Sequence, residues 1–314
     1  MNTLQVNRAI GVDIGGTKIA VALVDGTGRI VSRTVLATEA ERGFDRAVGR
    51  LSEAIEAVAA QAGCAVSGIT GIGIGCAGPV DPGRGLINNP FTLTGWDRCD
   101  IVTPLRERFG LPVFLENDAD VAALGEHLAG AGQGSDPVVM LTFGTGVGGA
   151  AVIGGAIHRG VNGEHPELGH IPVLSDGRSC YCGTRGCLES VASGTAIGEA
   201  GKGAGLKDAR EVLTAAREGV AAARAIVDRA LEAAATAAWT ICHTLLPQCL
   251  ILGGGMMDDH FELFAGAMNR RLDPATQFTR GAVRIVRAQL GNEAGVVGAA
   301  AVAMRGAERG SPSG

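Results

Sequence analysis

Four side chains that are good zinc ligands lie close together in this sequence. Cys180, Cys182 and Cys187 fall within eight positions, and His170 stands ten residues before the first of them. Thiolates and an imidazole on a turn-rich loop are the ligand set of a tetrahedral Zn²⁺ site. Because four protein ligands would fill the coordination sphere, we expect this zinc to be structural and not a Lewis acid.

Two carboxylates flank this cysteine loop. Glu167 lies three residues before His170, and Glu189 lies two residues after Cys187. A metal that holds the loop would therefore also determine where these two carboxylates point.

Two glycine-rich turns are candidates for binding phosphate. The first is Asp13–Lys18, and the second is Thr142–Gly149, which has four glycines in six positions. Glycines let backbone N–H groups approach an anion without a Cβ in the way. Asp13 could hold Mg²⁺ through water, and Thr17 or Lys18 could contact phosphate. The alternative for either segment is a simple β-turn.

A single carboxylate is placed to act as a base. Asp118 follows a predicted strand that ends at Glu116-Asn117, and ligands of open α/β sheets collect at the carboxyl ends of strands. A hydroxyl that accepts a phosphoryl group needs a nearby base, for which an Asp is usual. The alternative is that Asp118 only caps a helix beginning at Ala119. Asp120 is the competing carboxylate, about 100° further round that helix.

Hydrophobic patterning predicts an order of strands and helices that repeats. In the first half we expect strands at 9–14, 18–24, 29–36, 69–75 and 112–115, with helices at 40–62 and 119–129. In the second half we expect strands at 137–143, 150–153, 248–252 and 283–288, with helices near 190–200, 207–217, 219–246, 258–271 and 293–304. Each half opens with a strand, a glycine turn and a strand. The sequence therefore predicts a duplicated α/β chain with two domains.

Composition narrows the class of protein. The 314 residues are 46% hydrophobic and 19% charged, as in ordinary globular proteins. The aromatic fraction is 4% and the net charge is −5, which disfavours a base-stacking or polyanion-binding surface, so we expect no nucleic-acid partner. No signal peptide and no run of eighteen apolar residues is visible, and the cysteines have metal-site spacing. We expect a cytoplasmic protein without a membrane span.

The two paired glycine turns resemble the phosphate loops of the actin/hexokinase/Hsp70 superfamily, in which ATP phosphates lie between two domains. A third segment, Gly253-Gly254-Gly255, resembles that superfamily's adenosine-contacting turn, although it could be only a tight strand-to-helix connection. This resemblance implies a cofactor site for ATP and Mg²⁺ at eleven residues. They are Asp13, Gly15, Gly16, Thr17, Lys18, Gly144, Thr145, Gly146, Gly253, Gly254 and Gly255.

The complete set of motifs resembles the ROK family of repressors and sugar kinases, in its glucokinase and N-acetylhexosamine kinase branch. The resemblance covers about residues 8–305, and the motifs that carry it are Asp13–Lys18, Gly75–Asp81, Glu116–Glu126, Gly144–Gly149, Glu167–His170 and Cys180–Glu189. The resemblance implies a two-domain actin-like (ribonuclease H-like) α/β fold with an interdomain cleft. We expect one domain at 1–120 with 293–314, and a larger domain with the zinc loop at 121–292.

The resemblance also implies the chemistry. Asp118 would be the general base that takes the proton from the 6-hydroxyl of a hexose. The expected sugar-binding residues are Gly78, Asn89, Asn117, Asp118, Glu167, His170 and Glu189. Members of this family are commonly dimers or tetramers, so we expect a homo-oligomer.

The chain departs from the family pattern at two places, and two further features conflict over the identity of the substrate. This chain has Asp120 where the family often has Asn, and Ala77-Gly78 where it usually has Pro-Gly. The form His165-Pro166-Glu167 resembles ROK fructokinases, whereas the cysteine spacing resembles glucokinases and acetylhexosamine kinases. Glucose is the favoured substrate, and fructose, mannose, N-acetylmannosamine and N-acetylglucosamine are alternatives.

Two functions without catalysis are alternatives to a kinase: a DNA-binding repressor and a sugar-binding protein. Only twelve residues precede Asp13, too few for the DNA-binding unit of a ROK repressor. A non-catalytic sugar-binding protein stays possible, since the presence of motifs does not exclude it.

Overall fold

The structure, a computed structural model, describes residues 7–273 and 283–310. The chain divides into two compact units, residues 1–133 with 290–314 and residues 134–289. The expected boundary after residue 120 lies inside a helix, Asp118–Ala129, that belongs to the first unit as a whole. The ends of the expected first domain, 1–6 and 311–314, lie outside the described residues.

The first unit is built on a five-stranded sheet. Its strands and helices are β1 (Arg8–Ile14), β2 (Lys18–Asp25), β3 (Ile30–Ala37), α1 (Phe44–Gln61), β4 (Ile72–Cys76), β5 (Val80–Asp81), β6 (Leu86–Ile87), β7 (Cys99–Asp100), α2 (Val102–Phe109), β8 (Val113–Asn117) and α3 (Asp118–Ala129). The order across the main sheet is β3-β2-β1-β4-β8. The first three strands are antiparallel, and β1, β4 and β8 are parallel.

The second unit repeats this arrangement. Its elements are β9 (Val138–Phe143), β10 (Val147–Ile153), β11 (Ala156–Ile157), α4 (Glu189–Ala192), α5 (Gly194–Gly201), α6 (Ala209–Arg217), α7 (Ala221–Thr244), β12 (Cys249–Gly253), α8 (Met257–Leu272) and β13 (Arg284–Arg287). The sheet order is β11-β10-β9-β12-β13. Again the first three strands are antiparallel and the last three parallel. Two sheets with the same order and directions support the predicted duplication.

A C-terminal helix, α9 (Ala294–Gly310), packs directly on the sheet of the first unit. The close approach depends on glycine. A Cβ at Gly11 of β1 would collide with the carbonyl oxygen of Val296, and a Cβ at Gly73 of β4 would collide with that of Ala299. Because α9 lies this close, its first turn reaches the carboxyl end of β1, where Asp13 stands against Gly295.

Alanine and large apolar side chains fill the core of the second unit. The alanine-rich α7 buries most of its alanines, and α8 packs beside it. Phe143, at the end of β9, contacts Phe264 of α8 with ring centroids 5.2 Å apart. This packing holds the carboxyl end of β9, from which the second glycine turn departs.

The elements differ from the sequence prediction in a few places. The helix expected from residue 40 begins at Phe44, after a single turn at Ala40–Arg42. The helix expected near 190–200 is two helices. Ser193 has extended backbone, which interrupts the helix, and its hydroxyl caps α5 by accepting the Ala196 N–H. The short strands β5, β6, β7 and β11 were not predicted, since two-residue strands have no readable alternation.

None of the helices in the described ranges is both long and apolar enough to cross a bilayer.

Candidate functional site

In the first unit, three sequence motifs meet at the carboxyl ends of the parallel strands. The register aligns Asp13 of β1 with Gly75 of β4, and Cys76 of β4 with Asn117 of β8. Asp118 follows directly as the first residue of α3. The Asp13, Gly75–Asp81 and Glu116–Glu126 motifs therefore lie along one edge of one sheet, as expected for a ligand site in an α/β unit.

Asp118 is exposed at the start of α3. One of its oxygens accepts the Ala119 N–H at 2.8 Å, and Asn117 Oδ1 accepts the same N–H at 2.9 Å. The residue with extended backbone, and so the helix cap, is Asn117. The alternative that Asp118 caps a helix beginning at Ala119 is therefore wrong by one residue. The Asp118 carboxylate is exposed, and its role as a base stays a prediction.

Asp13 and Asp118 affect each other electrostatically. Burial, followed by the negative charge of Asp118, raises the pKa of Asp13 from 3.8 to about 6, although Lys18 acts in the opposite direction. Burial and the same two carboxylates also raise the pKa of the neighbouring Cys76 thiol. Two carboxylates that share negative potential favour a divalent cation or another positive charge at this edge.

The first glycine turn is a tight hairpin. Gly15 N–H donates to the Lys18 carbonyl at 3.0 Å, and Gly16, Thr17 and Lys18 are exposed. Lys18 Nζ donates to Asn292 Oδ1 at 3.2 Å, just before α9. The exposed backbone of the turn and the ammonium group of Lys18 can therefore meet an anion beside Asp13.

Asn89 and Gly78 belong to a loop that is held by its own hydrogen bonds. Asn89 is buried, and its amide donates to Ala77 O and Thr92 Oγ1 and accepts from the N–H groups of Phe91 and Thr92. All four hydrogen-bonding positions of the amide are thus used. A Cβ at Gly78 would lie 2.7 Å from Asn117 Nδ2. Asn89 shapes this loop, and Gly78 lets the loop approach the end of β8.

In the second unit, the four predicted zinc ligands come together. Nδ1 of His170 and the sulfur atoms of Cys180, Cys182 and Cys187 all lie within 4.8 Å of one another. Cys180 Sγ is 3.4 Å from His170 Nδ1, and the sulfurs of Cys182 and Cys187 are 3.5 Å apart. A tetrahedron with Zn–S of about 2.3 Å and Zn–N of about 2.0 Å has edges of roughly 3.4–3.8 Å. These residues therefore fit a zinc ion in ligand type and spacing.

A series of contacts runs from this cluster to the second glycine turn. His170 Nε2 is 3.0 Å from the hydroxyl of Tyr181, and the nearby Glu189 carboxylate contributes to raising the pKa of that hydroxyl. The Glu189 carboxylate accepts the Val147 N–H at 3.0 Å. Gly146 lies so close that a Cβ there would be 2.5 Å from Glu189 Oε2. The cysteine loop and the glycine turn are thus joined through one carboxylate.

The two remaining glycine segments also meet in the second unit. Gly254 has a φ of 85° and lies against the backbone of Phe143 at the end of β9. The carbonyl of Gly144 accepts the N–H of Gly194, so α5 starts beside this turn. The segments 144–146 and 253–255, far apart in sequence, therefore share one edge of the second sheet.

Two other predicted residues differ in exposure. Asp120 is completely buried, so it does not compete with Asp118 for a ligand at the surface of this unit. Glu167 is exposed, with His165 Nε2 3.5 Å from its carboxylate.

Tyr181 was not singled out from the sequence. It stands between two zinc-ligand cysteines and is the only tyrosine in the chain, which is the one signal that could have drawn attention to it. Although the ring is exposed, partial desolvation of the hydroxyl, followed by the negative charge of Glu189, raises the pKa of this hydroxyl to about 12.

Comparisons with known proteins agree with this geometry. A protein-family model described as the ROK family matches residues 9–305. The chain is 35% identical to a glucokinase of Thermotoga maritima over 311 residues, which cover 94% of this chain and 96% of that protein.

Two solved structures are similar over nearly the whole chain. A ROK hexokinase from Thermus thermophilus has a TM-score of 0.87 and 36% identity, covering 96% of this chain and 100% of that one. A ROK family glucokinase from Streptomyces griseus, solved with glucose and AMPPNP, has a TM-score of 0.73 and 33% identity, covering 95% and 100%. The fold is thus the actin-like α/β fold of two domains that the sequence predicted.

Proposed function

The chain belongs to the ROK family, and we propose that it is a sugar kinase that transfers the γ-phosphoryl group of ATP to the 6-hydroxyl of a hexose, with glucose as the preferred sugar. The observation that carries this proposal is the pair of carboxylates Asp13 and Asp118 at the carboxyl edge of the first sheet. Phosphoryl transfer to an alcohol needs a base for the hydroxyl and a carboxylate for the metal, and this edge offers both.

Asp118 would be the base. Its carboxylate is exposed, and the backbone at the start of α3 holds it in position. It would accept the proton of the 6-hydroxyl as that oxygen attacks the γ-phosphorus. The positive end of the α3 dipole lies at the same place, where it would stabilise negative charge on the attacking oxygen.

Asp13 would hold Mg²⁺ through water, with Lys18 beside it. A bound Mg²⁺ would neutralise the charge on the β- and γ-phosphates of ATP. The exposed N–H groups of the turns at 15–18 and 144–146 would bind the phosphate oxygens, and Gly253–Gly255 would contact the adenosine. The ammonium group of Lys18 donates to Asn292 Oδ1 at 3.2 Å, and Lys18 would exchange this partner for a phosphate oxygen on binding ATP.

Glu167, His170 and Glu189 would bind sugar hydroxyls. A zinc ion bound by His170 Nδ1 and the three thiolates would keep this loop rigid, which limits the loss of side-chain freedom on sugar binding. Asn117 would contribute its amide to sugar binding. Gly78 and Asn89 would shape the pocket wall, and Asn89 would keep its present hydrogen bonds.

A coupled assay with ATP, Mg²⁺ and a panel of sugars tests the proposal. The panel contains glucose, mannose, fructose, N-acetylmannosamine and N-acetylglucosamine, and ³¹P and ¹³C NMR of the product identifies the phosphorylated oxygen. We expect the largest kcat/KM for glucose and phosphate on O6. A protein that binds a sugar but phosphorylates none of the panel would instead be a sugar-binding module.

A further inference from the structure

Tyr181 makes contacts that are unusual for so exposed a side chain. Its relative exposure is 83%, so the ring is not held by burial. It is held by its hydroxyl, which lies 3.0 Å from His170 Nε2 with the Glu189 carboxylate near it, and by an edge-on contact with the His170 ring at 4.9 Å and 88°. The hydroxyl group therefore fills a position between an imidazole and a carboxylate.

The direction of these hydrogen bonds follows from the geometry of His170. Its Nδ1 faces Cys180 Sγ and the other thiols, where a metal needs the nitrogen lone pair. With a metal on Nδ1, the proton of the neutral ring is on Nε2, which donates to the Tyr181 oxygen, and the tyrosine O–H is left to donate to an acceptor such as the nearby Glu189 carboxylate. A sugar hydroxyl also accepts one hydrogen bond and donates another, so it can make the same pair of contacts.

We infer that Tyr181 is a cap that a sugar displaces: its hydroxyl occupies the position on His170 Nε2, beside Glu189, that a hydroxyl of the bound sugar takes. This inference rests on the proposed sugar-kinase function. The exchange conserves the number of hydrogen bonds, and the exposed ring can turn away into solvent without leaving a cavity. The cap would lower sugar affinity and would keep the Glu189 carboxylate paired, and so in place against Val147, while no sugar is bound.

The test is Tyr181→Phe, which keeps the ring and removes the hydroxyl. Without a competing hydroxyl, we expect the Kd and KM for glucose to fall by about two- to tenfold, the range that one or two exposed hydrogen bonds can supply. The kcat, the KM for ATP and the zinc content should stay as in the wild type. Thr184→Val is the matched control, because it removes another exposed hydroxyl of the same loop and should change none of these values.

A spectroscopic measurement separates displacement from an indirect effect. Because the chain has a single tyrosine, protein grown with 3-fluorotyrosine has one ¹⁹F resonance, and glucose without ATP should shift that resonance as the phenol leaves His170. A weaker or unchanged glucose affinity in Tyr181→Phe, or a resonance that glucose does not move, would overturn the cap. A wild-type protein that neither binds nor phosphorylates any sugar would overturn the proposed function together with the cap. A wild type that does phosphorylate sugar leaves the proposed function standing whatever Tyr181→Phe does.

Discussion

The two glycine hairpins have the same topology but different neighbours. The turn between β1 and β2 lies beside Asp13, whose carboxyl group shares negative potential with Asp118. The turn between β9 and β10 has no carboxylate in its own strands, and instead its Val147 N–H is occupied by Glu189 from the cysteine loop. The first hairpin contains its acidic residue, Asp13, in one of its own strands. The second hairpin is contacted by Glu189, which lies outside it at the start of α4.

This difference suggests how a duplicated unit divides its work. In the first unit, the acidic groups belong to the ends of the sheet strands and to α3, which are rigid elements suited to positioning a base and a metal. In the second unit, the acid is Glu189, the first residue of α4, which directly follows the cysteine loop, and in the proposed function a zinc ion on the four clustered side chains would make that loop rigid. We infer that the first unit performs the chemistry and that the second determines which sugar is accepted.

Asp118→Asn would break the catalytic half of this comparison. The amide cannot accept the proton of the attacking hydroxyl, so we expect kcat to fall by at least about 10²-fold, with the glucose Kd changed less than about threefold. Steady-state kinetics and calorimetry measure the two quantities. Asp97→Asn, at an exposed carboxylate of the same unit, is the control and should behave as the wild type. A kcat near the wild-type value in Asp118→Asn would exclude this residue as the base.

Cys182→Ser tests whether the cysteine loop of the second unit supports sugar recognition. Removing one thiolate should lower zinc from one ion per chain to nearly none and raise the KM for glucose by about tenfold or more, because second-unit carboxylates lose their support. Metal analysis and kinetics test this. Cys64→Ser lies outside the cluster and should keep its zinc. A wild-type protein purified without zinc, yet fully active, would contradict the role of the metal.

Gly146→Ala would test the contact that joins the loop to the hairpin. The new methyl group would lie about 2.5 Å from Glu189 Oε2 and would push this carboxylate away from Val147. We expect kcat/KM for glucose to fall by about tenfold, the effect of losing one charge-assisted hydrogen bond. Gly203→Ala is the control, since a Cβ there meets nothing within 4 Å. An unchanged kcat/KM would show that Glu189 needs no support from the hairpin.

The smallest expected effect is that of Asp13→Asn on stability without ATP and Mg²⁺, although its kcat/KM should also fall because an uncharged amide holds Mg²⁺ poorly. The folded protein raises the pKa of Asp13 from 3.8 to about 6, so its contribution to stability is present below about pH 4 and is lost as pH rises through 6. The uncharged Asn avoids this loss. Without ATP and Mg²⁺ we expect the variant to be about 1 kcal/mol more stable than the wild type at pH 7.5, a value reduced from the full shift because Asp13 is partly exposed.

Urea unfolding at pH 4.5 and pH 7.5 measures this difference, which should shrink at the lower pH. The same titration predicts that kcat/KM falls as pH drops below about 6, because protonated Asp13 cannot hold Mg²⁺. A stability difference that is equal at both pH values would contradict the electrostatic origin.

Residue types and their spacing were enough to predict the main strands, the duplication and the position of several candidate site residues. Hydrophobic alternation and glycine turns predicted the main strands and the duplication, because both signals are local in the chain. The spacing of Cys180, Cys182 and Cys187 predicted that these side chains would lie together with His170, since one short loop keeps three thiols close to one another, and the zinc ion itself stays a prediction. The position of Asp118 after a strand was also readable, within one residue of the helix start.

Tertiary structure decided the rest. Only the register of β1, β4 and β8 brings Asp13 within electrostatic reach of Asp118, about a hundred residues away in sequence. Only the tertiary structure shows that all hydrogen-bonding positions of the Asn89 amide are used by residues of its own loop. The hydrogen bond between Tyr181 and His170 has no sequence signal, because it depends on where the cysteine loop folds back. Long-range contacts of this kind set the partner of each side chain, whereas local pattern sets only its type and element.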